Sequence, residues 1–268
     1  MPKAKLSEVE VIYDDTGSGE PVVFVHGHPF NRSMWAPQTQ AVADMPRRVV
    51  AADLRGYGDS DVVPGVTLLS TFADDVVELL DHLGIDKATI VGLSMGGQIV
   101  MDLYSRFPER VSALVLSDTF PDAETETGVR SRMELADTLV KEGMSAYAAS
   151  EISQMVGPKT LAARGQVADH VKTMMLETPP AGAAAALRGR ALRHDYVKTL
   201  STIDVPVLIV VGRDDEFTPV ADAQRMHDIV PDSRLAVIED AGHVPNLEQP
   251  EVFNEILLRF LIETGTKP

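Results

Sequence analysis

Short runs of β-branched and aliphatic residues alternate along the chain with segments whose apolar residues recur at helical spacing. The runs that predict strands are VEVIYDD, PVVFVHG, RVVAADL, ATIVGLS, VSALVLSD, VPVLIVVG and SRLAVIED. Strands that alternate with helices form parallel sheets, and the connecting helices cover both faces of the sheet. The pattern therefore predicts an α/β fold with a mostly parallel, doubly wound sheet.

The segment TFADDVVELLDHLG (71–84) illustrates the helical part of this pattern. Its apolar side chains fall on one face of a helix, and they are Phe72, Val76, Leu79, Leu80 and Leu83. Gly84 follows the last of them, and a glycine at this position is typical of the end of a helix. We expect an amphipathic helix that packs this face against the sheet.

The strand pattern is interrupted over residues 121–200, where Ala, Met and Arg are frequent. A structureless loop of this length is uncommon in a compact domain, so we predict a set of short helices. One of them begins at Pro179 and Pro180 and continues through good helix formers. Residues 1–120 and 201–268 then form a single core, and residues 121–200 form a helical cap over the strand ends.

Composition narrows the chemistry that this fold can carry. The 268 residues contain no cysteine, which excludes disulfides, thiolate nucleophiles and cysteine zinc sites. The formal net charge is −16 and no basic run is present, so we expect neither nucleic acid nor an anionic membrane as a partner. The apolar runs are too short to span a membrane. These features predict a soluble cytoplasmic protein.

A serine stands where a predicted strand meets a predicted helix, in Gly92-Leu93-Ser94-Met95-Gly96. This arrangement fits the G-x-S-x-G nucleophile elbow, in which the flanking glycines permit a sharp turn and close packing. The helix that follows directs its free N–H groups toward the place where an oxyanion would develop. The simpler alternative is that Ser94 only caps the helix.

A serine nucleophile needs a base and an acid that orients the base. His243 follows the strand RLAVIED in a loop, whereas the histidines at 82, 170, 194 and 227 are expected at surface or packing positions. Asp214 and Asp215 follow the strand LIVVG and are both candidates for the acid. The order Ser, Asp, His, each after its own strand, is that of the α/β-hydrolase triad.

Five segments together resemble the serine-dependent α/β-hydrolases, and they are GLSMGG, HGHPFNRSMW, DLRGYGDS, VGRDDEFTP and GHVPNLEQPE. Within that family the chain is most similar to small carboxylesterases, cofactor-free haloperoxidases or perhydrolases, and 3-oxoadipate enol-lactonases. The resemblance implies the α/β-hydrolase fold with a helical cap insertion, and catalysis without a cofactor or a metal. It also aligns Asp215, rather than Asp214, with the acid of the pattern G-x-x-D-x-x-x-P.

The resemblance also implies a two-donor oxyanion hole made by the backbone N–H groups of His28 and Met95. An alternative use of His26 and His28 is an H-x-H metal pair, but no further ligand is convincingly placed near them in the sequence. We therefore favour the oxyanion hole and expect no metal.

The expected function is a serine hydrolase in which Ser94 attacks a carbonyl, His243 transfers the proton and Asp215 orients His243. Its substrates are then small or medium carboxylic esters or lactones, handled through an acyl-enzyme. The alternatives are a lactonase specific for enol-lactones or acyl-homoserine lactones, a carbon–carbon bond hydrolase, a perhydrolase, or a binding protein on the same fold. Dehalogenase and epoxide hydrolase chemistry is excluded, because it needs an aspartate at the elbow.

The cap composition suggests a preference for short acyl groups of about two to six carbons over long ones. Five cap methionines are candidates for an apolar wall over the pocket, with the cap's own core as the alternative: Met133, Met144, Met155, Met174 and Met175. Six cap arginines are candidates for gripping a carboxylate, although we expect most of them at the solvated surface: Arg130, Arg132, Arg164, Arg188, Arg190 and Arg193. The net charge disfavours highly anionic substrates unless these arginines offset it locally. The oligomeric state does not follow from the sequence.

Overall fold

Eight strands form one sheet in the computed structural model, which describes residues 1–163 and 165–265. The strands are β1 (Lys3–Lys5), β2 (Glu10–Gly17), β3 (Glu20–Val25), β4 (Arg47–Ala52), β5 (Ala88–Leu93), β6 (Val111–Ser117), β7 (Val207–Gly212) and β8 (Arg234–Ile238). Their order across the sheet is β1-β2-β4-β3-β5-β6-β7-β8. The pairs β1–β2 and β2–β4 are antiparallel and all other pairs are parallel. The carboxyl ends of β3 to β8 therefore meet at one edge of the sheet.

Helices connect the strands and also fill the long interval between β6 and β7. They are α1 (Ala36–Ala43), α2 (Leu69–His82), α3 (Met95–Arg106), α4 (Glu126–Glu142), α5 (Ser145–Met155), α6 (Pro158–Ala162), α7 (Gln166–Glu177), α8 (Pro180–Ala191), α9 (Val197–Leu200), α10 (Val220–Ile229), α11 (Pro245–Glu248) and α12 (Pro250–Thr264). Two short 3₁₀ helices span Arg32–Trp35 and Pro108–Arg110. Among the described residues, no helix combines the length and the apolar character needed to cross a membrane.

Both faces of the sheet are buried, because alternate strand residues point to opposite sides. On β3, Val23 and Val25 pack into one apolar layer, whereas Val22 and Phe24 pack into the other. The first layer also contains side chains of α2 and α3, and the second contains side chains of α1 and α12. This burial on both faces explains why the strands are continuous apolar runs rather than alternating ones, and it confirms the predicted doubly wound α/β fold.

The helix predicted from residues 71–84 is α2, and its predicted apolar face is the face that packs on the core. Gly84 follows its end with φ 64°, a left-handed conformation that glycine adopts without strain. The strand β1 was not predicted, since Lys3–Lys5 carries no apolar pattern. It forms because its backbone pairs with β2, in the antiparallel register that matches Ala4 with Val11 and Lys5 with Glu10.

The helix predicted to begin at Pro179 and Pro180 is α8, and almost all of its residues are buried. A Cβ added to Gly182 would overlap the backbone of Gly56, and the Thr67 N–H donates to the Ala185 carbonyl at 3.0 Å. Small side chains therefore let α8 lie directly on the loop that precedes α2. The alanine-rich composition reflects this close packing as well as helix propensity.

The five methionines singled out within residues 121–200 mostly fill apolar cores. Met144 packs with side chains of α4 and α8, whereas Met174 and Met175 join the apolar layer of α1 and α12. Met133 is half-buried, and of the five only Met155 lines the cavity described below. Between the two alternatives drawn from the sequence, core packing is the one that most of these residues follow, because each helix of the cap must bury one face.

Candidate active site

Ser94 occupies a tight turn between the last residue of β5 and the first residue of α3. Its φ of 58° and ψ of −118° are rare for a residue other than glycine. The turn also brings backbones close together, since a Cβ on Gly92 would lie 2.5 Å from the Gly96 carbonyl oxygen, and a Cβ on Gly96 would overlap the Val25 carbonyl. The two glycines of the motif are thus required by close approach, and the turn lifts the Ser94 side chain away from the strand.

The three residues selected from the sequence lie in hydrogen-bond contact. The Ser94 hydroxyl is 2.9 Å from His243 Nε2, and His243 Nδ1 is 2.8 Å from Asp215 Oδ2. All three are buried, with 7%, 2% and 4% of their surfaces exposed. With Nδ1–H donating to Asp215, Nε2 is free to accept the serine proton. The geometry is that of a nucleophile, a base and an orienting acid.

Asp215 is held as an anion by several donors. The backbone N–H groups of Phe217 and Thr218 donate to its Oδ1 at 2.8 and 3.2 Å, and the Thr218 hydroxyl donates to its Oδ2. Burial opposes the charge, but His243 and Thr218 outweigh burial and hold the pKa of Asp215 below its ordinary value. Asp214, the other candidate, is exposed.

A second buried carboxyl group, that of Asp118, lies beside Asp215 at the end of β6. Its oxygens accept the Gly212 N–H at 2.8 Å and the Ser117 hydroxyl at 2.6 Å, and a hydrogen bond joins it to Asp215. Burial, and then the charge of Asp215, raises the pKa of Asp118 well above its ordinary value. This direction favours the protonated form of Asp118, in which it donates to the Asp215 carboxylate.

The loop after β3 packs against the turn that carries Ser94. A Cβ on Gly27 would lie 2.9 Å from the Leu93 carbonyl oxygen and 3.1 Å from Ser94 Cβ. Met95 is the first residue of α3, so its N–H has no acceptor within the helix. The backbone of Gly27 and His28 and the start of α3 are thus neighbours of the serine hydroxyl.

A cavity of about 550 Å³ opens above the serine. It separates the strand ends from α4, α5 and α8, and its lining includes His28, Ser94, Phe120, Arg132, Leu139, Tyr147, Leu187, Arg190, Phe217 and His243. The wall combines apolar and aromatic side chains with a few polar groups, as small-molecule sites commonly do. The Phe217 ring packs on the His243 imidazole, with their centroids 5.1 Å apart.

The six cap arginines differ in their surroundings. Arg190 and Arg193 are buried and Arg132 is half-buried, so these three depart from the solvated positions expected for most of the set. Arg130 is exposed and Arg188 is half-buried with an exposed partner, whereas Arg164 lies outside the described residues.

Three buried side chains of the site carry atoms of the kind that ligate metals. In the described part of the chain, one group of potential ligand atoms lies within 4.8 Å of one another, and it belongs to Asp118, Asp215 and His243. A metal ion there would break the bond between His243 and Asp215. The other pair, His26 and His28, does not converge on an ion, because Nδ1 of His26 donates to the Gly27 carbonyl and Nε2 accepts the Leu54 N–H.

Asp118 was missed in the sequence, and Arg190 was named there only as one of six cap arginines that could bind a carboxylate. Asp118 is the last residue of the run VSALVLSD, and a polar residue at the carboxyl end of a buried strand was the available signal. No local signal distinguishes Arg190 from the other cap arginines, because its burial depends on how α8 packs.

Comparisons with known proteins agree with this architecture. A sequence model described as the alpha/beta hydrolase fold matches residues 20–250. The chain is 30% identical to the putative 2-succinyl-6-hydroxy-2,4-cyclohexadiene-1-carboxylate synthase of Bacillus subtilis, with 91% of each chain covered. It is 31% identical to 3-oxoadipate enol-lactonase 1 of Acinetobacter baylyi, with 90% of this chain and 88% of the relative covered.

Among solved structures, a malate-bound thermophilic esterase from Thermogutta terrifontis superimposes with a TM-score of 0.97. The two chains are 33% identical, and the alignment covers 99% of this chain and 100% of the esterase. These matches confirm the family resemblance drawn from the five sequence segments. The chain belongs to the α/β-hydrolase fold family.

Proposed function

We propose that this protein is a serine hydrolase of small and medium carboxylic esters and lactones. The observation that carries the proposal is the continuous hydrogen-bonded line from Ser94 through His243 to Asp215, in which Ser94 and His243 line the cavity under α4, α5 and α8. The likeness to an esterase and to an enol-lactonase supports the same class of reaction. The cytoplasmic location stays a prediction from the sequence.

The mechanism follows from the positions of the three groups. Ser94 Oγ attacks the substrate carbonyl carbon while its proton passes to His243 Nε2, and the resulting imidazolium is stabilised by Asp215. The oxyanion accepts hydrogen bonds from the backbone N–H groups of His28 and Met95. His243 then protonates the leaving oxygen, and an acyl group remains on Ser94. A water molecule, deprotonated by His243, attacks this ester and releases the acid.

Residues 121–200 serve as the cap in this proposal, and residues 1–120 and 201–268 serve as the catalytic core. The helices α4, α5 and α8 close the cavity from above and limit the length of the acyl group that it can hold. A cavity of this size accommodates ligands of drug size or smaller. Acyl groups of about two to six carbons, and lactones, should therefore be preferred over chains of twelve carbons or more.

The test is a hydrolysis panel with a matched variant. We expect Ser94→Ala to lower kcat for p-nitrophenyl butyrate by about 10⁴-fold or more and to abolish the acylation burst, with the fold intact. Ser105→Ala, an exposed serine on the same helix, is the control and should retain activity. Unchanged turnover in Ser94→Ala would exclude this mechanism.

The same panel separates the alternative activities. It contains p-nitrophenyl esters of increasing length, γ-lactones, acyl-homoserine lactones and a carbon–carbon β-diketone. Cleavage of the β-diketone alone, or a tenfold preference for esters of 12 to 16 carbons, would contradict the proposed substrate class.

A further inference from the structure

The guanidinium group of Arg190 is a buried cation on the wall of the cavity that holds Ser94. Arg190 lies in the last turn of α8 and only 8% of its surface is exposed. Its Nε donates to Gln98 Oε1 at 3.2 Å, whereas its two terminal nitrogens make no hydrogen bond or ion pair with any described residue. A buried charge without an opposite charge destabilises the folded state. The two unpaired nitrogens of Arg190 therefore point to a binding position for an anion beside the guanidinium group.

The surroundings of Arg190 are positively charged. Arg132 borders the same cavity, Arg193 is close to Arg190, and both donate to the single carboxylate of Glu124. Glu124 therefore pairs with Arg132 and Arg193, and Arg190 is left without a carboxylate partner among the described residues. Burial, and then the charges of Arg132 and Arg193, lowers the pKa of Arg190, although a guanidinium remains protonated in proteins. An anion beside Arg190 would relieve this repulsion.

The acidic residues of the cavity do not neutralise Arg190. Glu142 and Glu151 border the cavity, but neither makes an ion pair with Arg190 in the described part of the chain. Glu142 pairs with Lys141, and its side chain is 51% exposed. Glu151 accepts the Ser150 hydroxyl. Solvent screens the charge of the exposed Glu142, and neither carboxylate contacts the Arg190 guanidinium.

His28 contributes a second group without a partner to the same wall. Its Nδ1 is 2.8 Å from the Tyr57 hydroxyl, and its buried Nε2 has no hydrogen-bond partner among the described residues. Burial, and then the charge of Arg190, lowers the pKa of His28 well below its ordinary value, so the ring is neutral. A neutral imidazole can donate a hydrogen bond to an anion without adding another positive charge.

We propose that Arg190, assisted by Arg132, binds a carboxylate group of the substrate, so that the preferred esters or lactones carry one carboxylate in addition to the bond that is cleaved. This inference rests on the proposed hydrolase function and names its substrate class. The planar guanidinium matches a carboxylate in a bidentate pair, and the protein environment makes such a pair stronger than in water. The net charge of −16 repels anions from the molecule as a whole, and the arginines offset it at this position.

The hydrolytic test compares two substrates that differ in one carboxylate, 4-nitrophenyl hexanoate and the mono-4-nitrophenyl ester of adipic acid. We expect at least a tenfold higher kcat/KM for the adipate ester. Arg190→Gln should lower kcat/KM for the adipate ester by about 10- to 100-fold and leave the hexanoate within about threefold. Arg190→Lys should recover part of the loss, since it keeps the charge but not the fork of donors.

A second substrate pair, phenyl hexanoate and 4-carboxyphenyl hexanoate, places the carboxylate on the leaving group instead of the acyl group. The control variant is Arg188→Gln, because Arg188 lies on the same helix, pairs with Asp137 and does not border the cavity. It should leave the preference unchanged. No preference in either pair, or an equal loss for charged and neutral substrates in Arg190→Gln, would overturn the carboxylate site.

A binding measurement separates this inference from the proposed function. Adipate should raise the Tm of the wild-type protein but not that of Arg190→Gln, whereas the uncharged adipamide should raise neither. Adipate stabilisation without hydrolysis of any ester would reject the hydrolase function and keep the anion site. Hydrolysis of the neutral ester without adipate binding or preference would reject the anion site and keep the hydrolase function.

Discussion

The side chains that carry the proposed chemistry follow the carboxyl ends of parallel strands. Ser94 and Asp118 come directly after β5 and β6, and Asp215 lies three residues after β7. Ser94 and Asp118 both have a positive φ, 58° and 46°, which costs roughly 1 kcal/mol or more for a residue with a Cβ. The neighbouring hydrogen bonds hold both residues in this strained backbone conformation, in which their side chains point into the site.

Asp118 provides a prediction at this scale. Asp118→Asn keeps a donor toward Asp215, an acceptor for the Gly212 N–H and a residue that tolerates positive φ, so kcat/KM for a neutral ester should stay within about threefold. Asp118→Ala removes all three features and leaves buried polar groups without partners. We expect it to lower the free energy of unfolding by about 1–3 kcal/mol and kcat by about tenfold or more.

Steady-state kinetics and urea unfolding of the two Asp118 variants provide the measurements. Asparagine resembles the protonated form of Asp118, because it is neutral and can donate a hydrogen bond. If it lost as much activity as the alanine variant, the charge of Asp118 rather than its neutral donor would be needed, and the assignment of a protonated Asp118 would be wrong.

At the scale of elements, the two ends of the helical segment between β6 and β7 are joined through one carboxylate. Glu124, just before α4, accepts hydrogen bonds from Arg132 on α4 and from Arg193 just after α8. Burial opposes its charge, but the bonds from the two arginines outweigh burial and lower the pKa of Glu124 to about 2. Since α4 packs against α8, this ion pair holds together the two helices that roof the cavity.

The pH dependence of this link has a definite sign. The pKa of Glu124 is lower in the folded than in the unfolded state, so its contribution is complete above about pH 4.5 and is lost as the pH falls toward 2. Glu124→Gln should lower the free energy of unfolding by about 2 kcal/mol at pH 7. The difference in the free energy of unfolding between the wild type and Glu124→Gln should fall to about half of its pH 7 value near pH 3.5.

Urea unfolding at pH 7, 5 and 3.5 measures this change. Glu126→Gln, a neighbouring exposed carboxylate in the first turn of α4, is the matched control and should differ little from the wild type. A wild-type advantage over Glu124→Gln that stayed constant down to pH 3.5 would argue against the ion pair as its source.

At the scale of the whole molecule, two buried histidines after β3 lie in surroundings that favour the neutral imidazole. His26 is fully buried, and both of its ring nitrogens are bonded to the backbone, to Gly27 and to Leu54. Burial lowers the pKa of His26, with a smaller opposing effect of Asp53. A second proton would have to break the bond from the Leu54 N–H, so the folded state resists protonation.

Stability should therefore fall on mild acidification. Because the pKa of His26 is lower in the folded than in the unfolded state, its contribution is complete above about pH 6.5 and decreases as the pH falls below that value. Below that pH, each such histidine lowers the free energy of unfolding by about 1 kcal/mol per pH unit. His28, whose pKa is also lowered, makes a second contribution of this kind.

Denaturant titrations between pH 7.5 and pH 5 give this slope directly. His26→Gln should be less stable at pH 7 and should show a shallower dependence on pH, whereas the exposed His194→Gln should keep the wild-type slope. Stability that did not change between pH 7.5 and 5 in the wild type would refute the assignment of a neutral buried His26.

The sequence determined the fold class, the seven long strands and the three residues that meet at the cavity floor. It could do so because each of these depends on local information: apolar periodicity, the glycines around Ser94, and polar residues that directly follow strands. Parallel strands converge at their carboxyl ends, so residues far apart in the chain, such as Ser94 and His243, could be expected to meet there.

Only the tertiary structure decided which ionisable side chains are buried. The pKa of Asp118 is raised because β6 and β7 bury it beside Asp215, and Arg190 is a buried cation because α8 packs on the loop near Gly56. The short strand β1 likewise exists only through its pairing with β2. For Asp118 and Arg190 the free energy depends on burial and on neighbours far along the chain, and packing determines both.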